Sequence, residues 1–272
     1  MVGNEAAGRA AGKRVVVTGA ARGMGRSHAV RLAEEGADLV LVDICSPLDE
    51  LDYPLSTQAD LEETADLVRE HGRTVITCVA DVRDEAAMKT AIDAAADELG
   101  GLDAAVANAG VLTVGTWDVT TAEQWRVVVD VNLIGAWNTC AAVIPHLIEQ
   151  GGGSLVNISS SAGVKGTPLH VPYTAAKHGI VGMSRALANE LAAQSIRVNT
   201  VHPTGVMTGM APPSMHEQMT ARTDLVPIFL NALPAALIEA VDVSNAVLFL
   251  VSDESRYVTG LEFKVDAGVS IR

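Results

Sequence analysis

Short runs of valine, leucine and isoleucine alternate with longer stretches of helical periodicity along the whole chain. Lys13–Thr18 is a β-branched run, and Gly23–Gly36 reads as a helix with Ala29, Val30, Leu32 and Ala33 among its apolar positions. Asp38–Val42 predicts the next strand, ending at Asp43, and Leu61–His71 an amphipathic helix stopped by Gly72. Thr74–Val79 and Leu102–Ala107 are strands that flank a helix over Asp84–Leu99, with Asp84 as its cap. Thr121–Gln150 is long enough for one helix of several turns. Ser154–Ser159, Ile196–Val201 and Leu261–Val265 follow as strands, with helices over Pro172–Gln194 and Asp242–Val251. Continuous apolar strands separated by helices predict a parallel sheet covered on both faces, a doubly wound α/β domain.

Two segments break the rhythm. Cys45–Thr57 carries two prolines between the second strand and its helix and reads as an inserted loop. Gly205–Leu237 holds Pro212, Pro213, Pro227 and Pro234 beside Met207, Met210, Met215 and Met219. It follows the sixth strand, where open α/β sheets place their ligands, and reads as a substrate lid whose methionines suit an adaptable apolar pocket. No internal repeat, low-complexity tract or linker divides the chain, so residues 1–272 are expected to form one domain.

Composition narrows the function. Hydrophobic residues make up 49% of the chain, too many for a disordered one. The net charge of −14, from 19 basic and 33 acidic residues, disfavours phosphate backbones and acidic lipid headgroups as partners. Cys45, Cys78 and Cys140 are too few and too widely spaced for a disulfide framework or a metal knuckle. His170, His178, His202 and His216 likewise lack metal-ligand spacing, so no metal is expected. Met1–Gly12 has no apolar secretory core, and the longest apolar tract, Leu225–Val241, is interrupted by Pro227, Asn231, Pro234 and Glu239. The expectation is a soluble cytoplasmic protein with neither nucleic-acid nor membrane partners. Trp117, Trp125 and Trp137 are expected in the core or at subunit contacts.

Between the first strand and helix stands Thr18-Gly19-Ala20-Ala21-Arg22-Gly23-Met24-Gly25. Its glycines allow a tight turn and a close backbone approach, and the helix that follows presents free N–H groups to a pyrophosphate. A Walker A loop is excluded, because Ala20 replaces its first glycine and Arg26 its lysine. Asp43 ends the second strand, where a carboxylate can accept from both ribose hydroxyls and repel a 2′-phosphate, favouring NAD over NADP. Arg22 pulls the other way, as a cation able to meet that phosphate. Asp81-Val82 and Asn108-Ala109-Gly110 end the third and fourth strands on the same edge, with Asp81 placed for the adenine amino group and the small turn leaving room for adenine and ribose.

Tyr173 and Lys177 stand four apart at the start of a predicted helix, so phenol and ammonium share a face. Acting as a base near neutral pH requires a phenol to drop roughly three pKa units, about 4 kcal/mol, which a neighbouring ammonium and a positive nicotinamide ring both favour. Ser160, at the end of the preceding strand, can hold the oxygen that the tyrosine deprotonates. Ser159 and Ser161 are its rivals on position alone.

This constellation resembles the short-chain dehydrogenase/reductases: Thr18-Gly-x-x-x-Gly-x-Gly25, Asn108-Ala-Gly110, Asn132, Ser160, Tyr173-x-x-x-Lys177 and Pro203–Thr208 stand in that family's order over essentially the whole chain. The resemblance implies a Rossmann-like fold and an NAD-dependent alcohol dehydrogenase. Tyr173 would transfer the proton, Ser160 orient the substrate oxygen, and Lys177 lower the phenol's pKa and hold the nicotinamide ribose. Asn132 would hold a water linking Lys177 to solvent, and Thr208, with Val206 beside it, would contact the cofactor. The family's usual Pro-Gly is Pro203-Thr204-Gly205 here, and Ala107 replaces the Asn often found before Asn108. Asp43 followed by a proline-rich insert, together with His202-Pro-Thr-Gly-Val206, resembles the mycofactocin-associated, carveol-dehydrogenase-like branch. That branch implies an apolar secondary alcohol or ketone of terpenoid type, an insert covering the adenosine half of NAD and slowing its release, a separate redox partner and a homotetramer. The alternatives are an NADP-preferring carbonyl or 3-ketoacyl reductase and a non-catalytic dinucleotide sensor.

Overall fold

Valine side chains crowd both faces of Arg14–Thr18, and this run forms a strand, β1, buried from Val15 onward. It lies near the middle of a seven-stranded sheet in a computed structural model that describes residues 8–210 and 212–272. Residues 1–7 of the N-terminal stretch read above, and residue 211 inside the segment 205–237, lie outside the described residues. The other strands are β2 (Asp38–Asp43), β3 (Val75–Val79), β4 (Ala104–Ala107), β5 (Gly153–Ile158), β6 (Ile196–Pro203) and β7 (Glu262–Val265). All pairings are parallel, in the order β3-β2-β1-β4-β5-β6-β7. The chain reverses its direction of travel between β1 and β4, which opens a crevice at the carboxyl ends of those two strands.

Helices cover both faces. On one side α1 (Gly23–Glu34), α2 (Gln58–Glu70) and, near the carboxyl end of the chain, Ala240–Val251 bury Leu32, Leu61, Val68 and Val247 against the sheet. On the other, α3 (Glu85–Leu99), α4 (Ala122–Val129), α5 (Gly135–Glu149) and α6 (Val171–Glu190) bury Met88, Ile92, Val128, Val143 and Leu187. The helix Ala240–Val251 is α8, and α7 (Pro213–Ala221) completes the set. Local chemistry sets the ends. Thr57 and Thr121 form reciprocal caps with Asp60 and Gln124, and Asp84 accepts from the Ala87 amide at 3.0 Å. Gly100 ends α3 in the left-handed region at φ 76°.

The helix predicted as one piece over 121–150 is broken by a π-helical turn, Asp130–Ile134, between α4 and α5. One residue too many enters the turn, and the buried Asn132 side chain compensates, its Nδ2 donating to the Val128 and Val111 carbonyls at 2.8 and 2.9 Å. The segment Ala122–Glu149 is long and apolar enough to cross a membrane, yet 61% of its most apolar window is buried within the fold. Leu225–Val241, the tract singled out above, contains instead a 3-10 turn at Val226–Phe229. Trp117, Trp125 and Trp137 are 87, 40 and 44% exposed, so none is a core residue.

Candidate active site

The glycine loop leaves β1 through Gly19 at φ 65° and enters α1 through Gly23 at φ 57°, a conformation that side chains resist. A Cβ on Gly19 would lie 2.9 Å from the Ala109 Cα, and one on Gly25 would lie 2.0 Å from the Gly19 oxygen. No side chain caps α1 at Arg22, which leaves its first amides free. The loop therefore presents bare backbone and a positive helix end to an open cleft lined also by Asp43, Asn108 and Thr208. This cradle fits the pyrophosphate of a dinucleotide.

Around the cleft stand Gly19, Arg22, Gly23, Met24, Asp43, Asp81, Val82, Asn108, Ala109, Gly110 and Thr208, all expected from the sequence. Ala21, Gly25, Val206, Tyr173 and Lys177 do not line it. Ala21 is buried, its amide donating to Asp43 Oδ2 at 3.0 Å; Gly25 packs under Gly19; Val206 pairs with Ile238 against the core. The Asn108 side chain donates to the Thr18 carbonyl at 2.9 Å and staples the end of β1 to β4.

Three polar expectations change. Asp43 is already engaged within the protein: its Oδ1 accepts from the Ser56 hydroxyl at 2.7 Å and the Cys45 amide at 3.2 Å. Arg22 keeps its charge at the cleft, but its Nη2 donates to the Pro54 carbonyl at 2.7 Å and ties the loop to the insert. Asp81 is held by Arg83, at 2.6 Å from Nη2, instead of standing free for an adenine amino group. The insert supplies cleft residues that sequence reasoning missed, Tyr53 and Ser56. The Tyr53 hydroxyl accepts from the Leu112 amide at 2.9 Å, and burial pushes the phenol up to about 12. Only a proline-rich composition hinted at them.

The reactive residues converge where β5 meets α6. Ser160 follows the strand in an extended conformation, its hydroxyl accepting from the Ala162 amide at 3.1 Å and standing near enough to the Tyr173 phenol to draw its pKa downward. Its rivals separate: Ser159 is buried and donates to the Lys177 carbonyl at 3.0 Å, and Ser161 opens a 3-10 turn. Lys177 is 3% exposed, with Nζ 2.8 Å from the Ile158 carbonyl and 5.3 Å from the Tyr173 ring centroid. A Cβ on Gly110 would meet Asn132 Oδ1 at 2.8 Å and Lys177 Nζ at 3.7 Å, so the π-turn brings Asn132 beside the lysine. Asn132 Oδ1 is buried without a protein partner among the described residues.

Electrostatics run against the simple expectation that Lys177 lowers the phenol. Burial pushes Tyr173 up to about 12, with Ser160 pulling against it, and drives Lys177 down to about 7. In the protein alone neither group favours its charged form, so charge separation here needs a further positive charge nearby.

A family model described as Enoyl-(Acyl carrier protein) reductase matches residues 19–270. The (-)-trans-carveol dehydrogenase of Rhodococcus erythropolis is 43% identical over 97% of this chain and 99% of that protein. This chain belongs to the short-chain dehydrogenase/reductases. The short chain dehydrogenase of Mycobacterium paratuberculosis, solved bound to NAD, superposes with a TM-score of 0.95 at 42% identity, covering 97% of this chain and all of that one. Carveol dehydrogenase from Mycobacterium avium, solved in complex with NAD, gives 0.91 at 47% identity with 97 and 100% covered. The chain is thus an oxidoreductase of this family, with the seven-stranded parallel sheet of its relatives. Among the described residues no cluster of side chains could hold a metal ion.

Proposed function

We propose that this chain is an NAD-dependent alcohol dehydrogenase that interconverts an apolar secondary alcohol, of terpenoid or carveol-like type, with its ketone. The observation that carries the reading is the meeting of Ser160, Tyr173 and Lys177 beside a glycine-walled cleft that ends at Asp43. NAD-bound relatives support the cofactor, and carveol dehydrogenases support the substrate class. When bound, NAD supplies a hydride acceptor and, oxidised, the positive ring that offsets burial of the phenolate.

The rest falls to the chain. The loop from Gly19 to Met24 holds the pyrophosphate through backbone amides, and Asp43 accepts from ribose hydroxyls while repelling a 2′-phosphate. The Ser160 hydroxyl donates to the substrate oxygen and fixes its distance from the phenol. Tyr173 takes the proton from the carbinol during oxidation and returns it to the carbonyl oxygen during reduction. Lys177 adds positive charge near the phenolate, and Asn132, facing it, offers an acceptor for proton exchange with solvent. The same reading carries a homotetramer, and a separate redox partner if the insert slows cofactor exchange.

The test is Tyr173→Phe, which leaves the ring packing intact. Turnover of a panel of secondary alcohols, with NAD and with an artificial electron acceptor, should fall at least about a thousandfold. Wild-type turnover by the folded variant would remove the mechanism.

A further inference from the structure

We propose that His170 forms a second polar subsite for the substrate, hydrogen-bonding an uncharged oxygen other than the one that reacts. The enzyme would then select alcohols and ketones that carry a further hydroxyl or keto group. The inference rests on the dehydrogenase reading for the reacting end only.

His170 is 7% exposed, and its Nε2 is buried with no hydrogen-bond partner among the described residues. An unpaired buried nitrogen carries a desolvation cost that phenylalanine or leucine in the same space would avoid. Nor does the side chain cap α6, whose first turn it precedes. Its surroundings are those of the reaction. The imidazole stands edge-on to the Tyr173 ring, with centroids 6.5 Å apart, and 5.6 Å from the ring of Phe229 in the segment 205–237. His170 thus packs beside both the proton-transferring phenol and Phe229 of the segment expected to cover the substrate, and because its Nε2 is closed to water here, the subsite requires Phe229 to move aside as substrate enters.

The backbone is committed to this placement. Leu169 is held at φ 64°, a left-handed conformation unusual for a branched side chain, and its carbonyl accepts from the Gly115 amide at 3.0 Å. Lys165, in the same loop, donates to the Ile228 and Val269 carbonyls at 2.9 and 2.7 Å and so fixes the turn that carries Phe229. The other buried histidines lack this combination. His202 has partners on both nitrogens, and His28, though its Nε2 is also unpaired, bonds Ser244 between α1 and α8, away from the cleft. Burial drives His170 down to about 4, so near neutral pH the ring is uncharged. A neutral imidazole matches a hydroxyl or carbonyl oxygen, whereas a carboxylate would call for a cation.

Two measurements test this with cyclohexanone and para-hydroxycyclohexanone, a pair differing by one hydroxyl. In the wild type, kcat/KM for the hydroxyketone should exceed that for cyclohexanone by about tenfold, and His170→Phe should bring this ratio close to one. A ratio that His170→Phe leaves unchanged overturns the subsite. Imidazole nitrogen NMR of the NAD-loaded Tyr173→Phe protein, which needs no turnover, gives the second readout. The His170 Nε2 signal should move with the hydroxyketone and stay with cyclohexanone; a signal that stays with both overturns the subsite, even if His170→Phe fails to fold. If neither ketone is turned over by the wild type, the dehydrogenase reading fails for this class while the NMR shift still decides the subsite.

Discussion

His202 Nδ1 lies 2.8 Å from the carbonyl oxygen of Ser160, and its Nε2 lies 2.7 Å from the Thr200 hydroxyl. A carbonyl oxygen can only accept, so Nδ1 carries the proton and Nε2 accepts from Thr200. Burial, which disfavours the charged ring, supports this neutral form. The end of β6 thus grips the backbone of the serine whose hydroxyl stands near Tyr173. His202→Leu should lower kcat about tenfold or more while the KM for NAD stays within about twofold, because the cofactor cradle is elsewhere. His202→Asn, whose amide can still donate near the Nδ1 position, should recover part of the loss. Equal effects of the two variants would show that His202 only fills space.

Asp43 ties together the glycine loop, through Ala21, and the insert, through Ser56 and Cys45. Asp43→Ala should therefore do two things at once. It should narrow the preference for NAD over NADP by at least about tenfold, and it should destabilise the cofactor-free protein by about 1–3 kcal/mol, since three donors lose their acceptor. Ser56→Ala removes one donor and no charge, so it should keep the cofactor preference. Paired kcat/KM values for the two cofactors and urea unfolding measure these effects. An unchanged preference in Asp43→Ala would relieve this carboxylate of its assigned role.

Most of the sheet was legible in the sequence because β1, β2, β4 and β5 are short, mainly apolar runs, and such signals are local, whereas β6 and β7 carry Arg197, Asn199, Glu262 and Lys264 among their apolar positions. The glycine loop, Asp43, Tyr173 and Lys177 were legible for the same reason, each at a strand end or helix start that periodicity locates, whereas position alone left Ser160 level with Ser159 and Ser161 and only the family resemblance singled it out. Most of what escaped depends on distance in space. Nothing near Arg22 in the chain shows that Pro54, 32 residues on, will occupy it, whereas Arg83 stands only 2 residues from Asp81 and its ion pair escaped in spite of being local. The π-turn escaped because one inserted residue barely disturbs a helical pattern. His202 and His170 read alike as isolated histidines, and only the fold distinguishes a fully bonded ring from one with an unpaired nitrogen.

The insert is fastened at both ends of the cleft. Arg22 holds the Pro54 carbonyl, Tyr53 receives the Leu112 amide, and Asp52 receives the Ser214 amide at 3.4 Å. A bound dinucleotide would have to leave past these ties. Arg22→Ala and Tyr53→Phe should each speed release of reduced NAD by several-fold to about tenfold, the worth of one hydrogen bond, when followed by stopped-flow fluorescence. Release at the wild-type rate in both variants would reduce the insert to a surface loop.

Lys177 gives the cofactor-free protein an unusual alkaline limb. Burial lowers its pKa from 10.5 to about 7 in the folded state, so below pH 7 both states are protonated and the full penalty of a buried ammonium is present. Between pH 7 and 10.5 the unfolded chain binds more protons than the folded one, and stability must rise with pH. At full effect the gain is up to roughly 5 kcal/mol. Tyr173 acts in the opposite sense: raised from 10.0 to about 12, it keeps its proton when folded, so its contribution is lost as pH climbs through that range. Urea unfolding should therefore show stability increasing from pH 7 toward 10, and Lys177→Met should flatten that rise. A wild-type profile that is level across this range would mean the lysine remains charged in the folded protein, with its Ile158 contact sufficient to hold the ammonium.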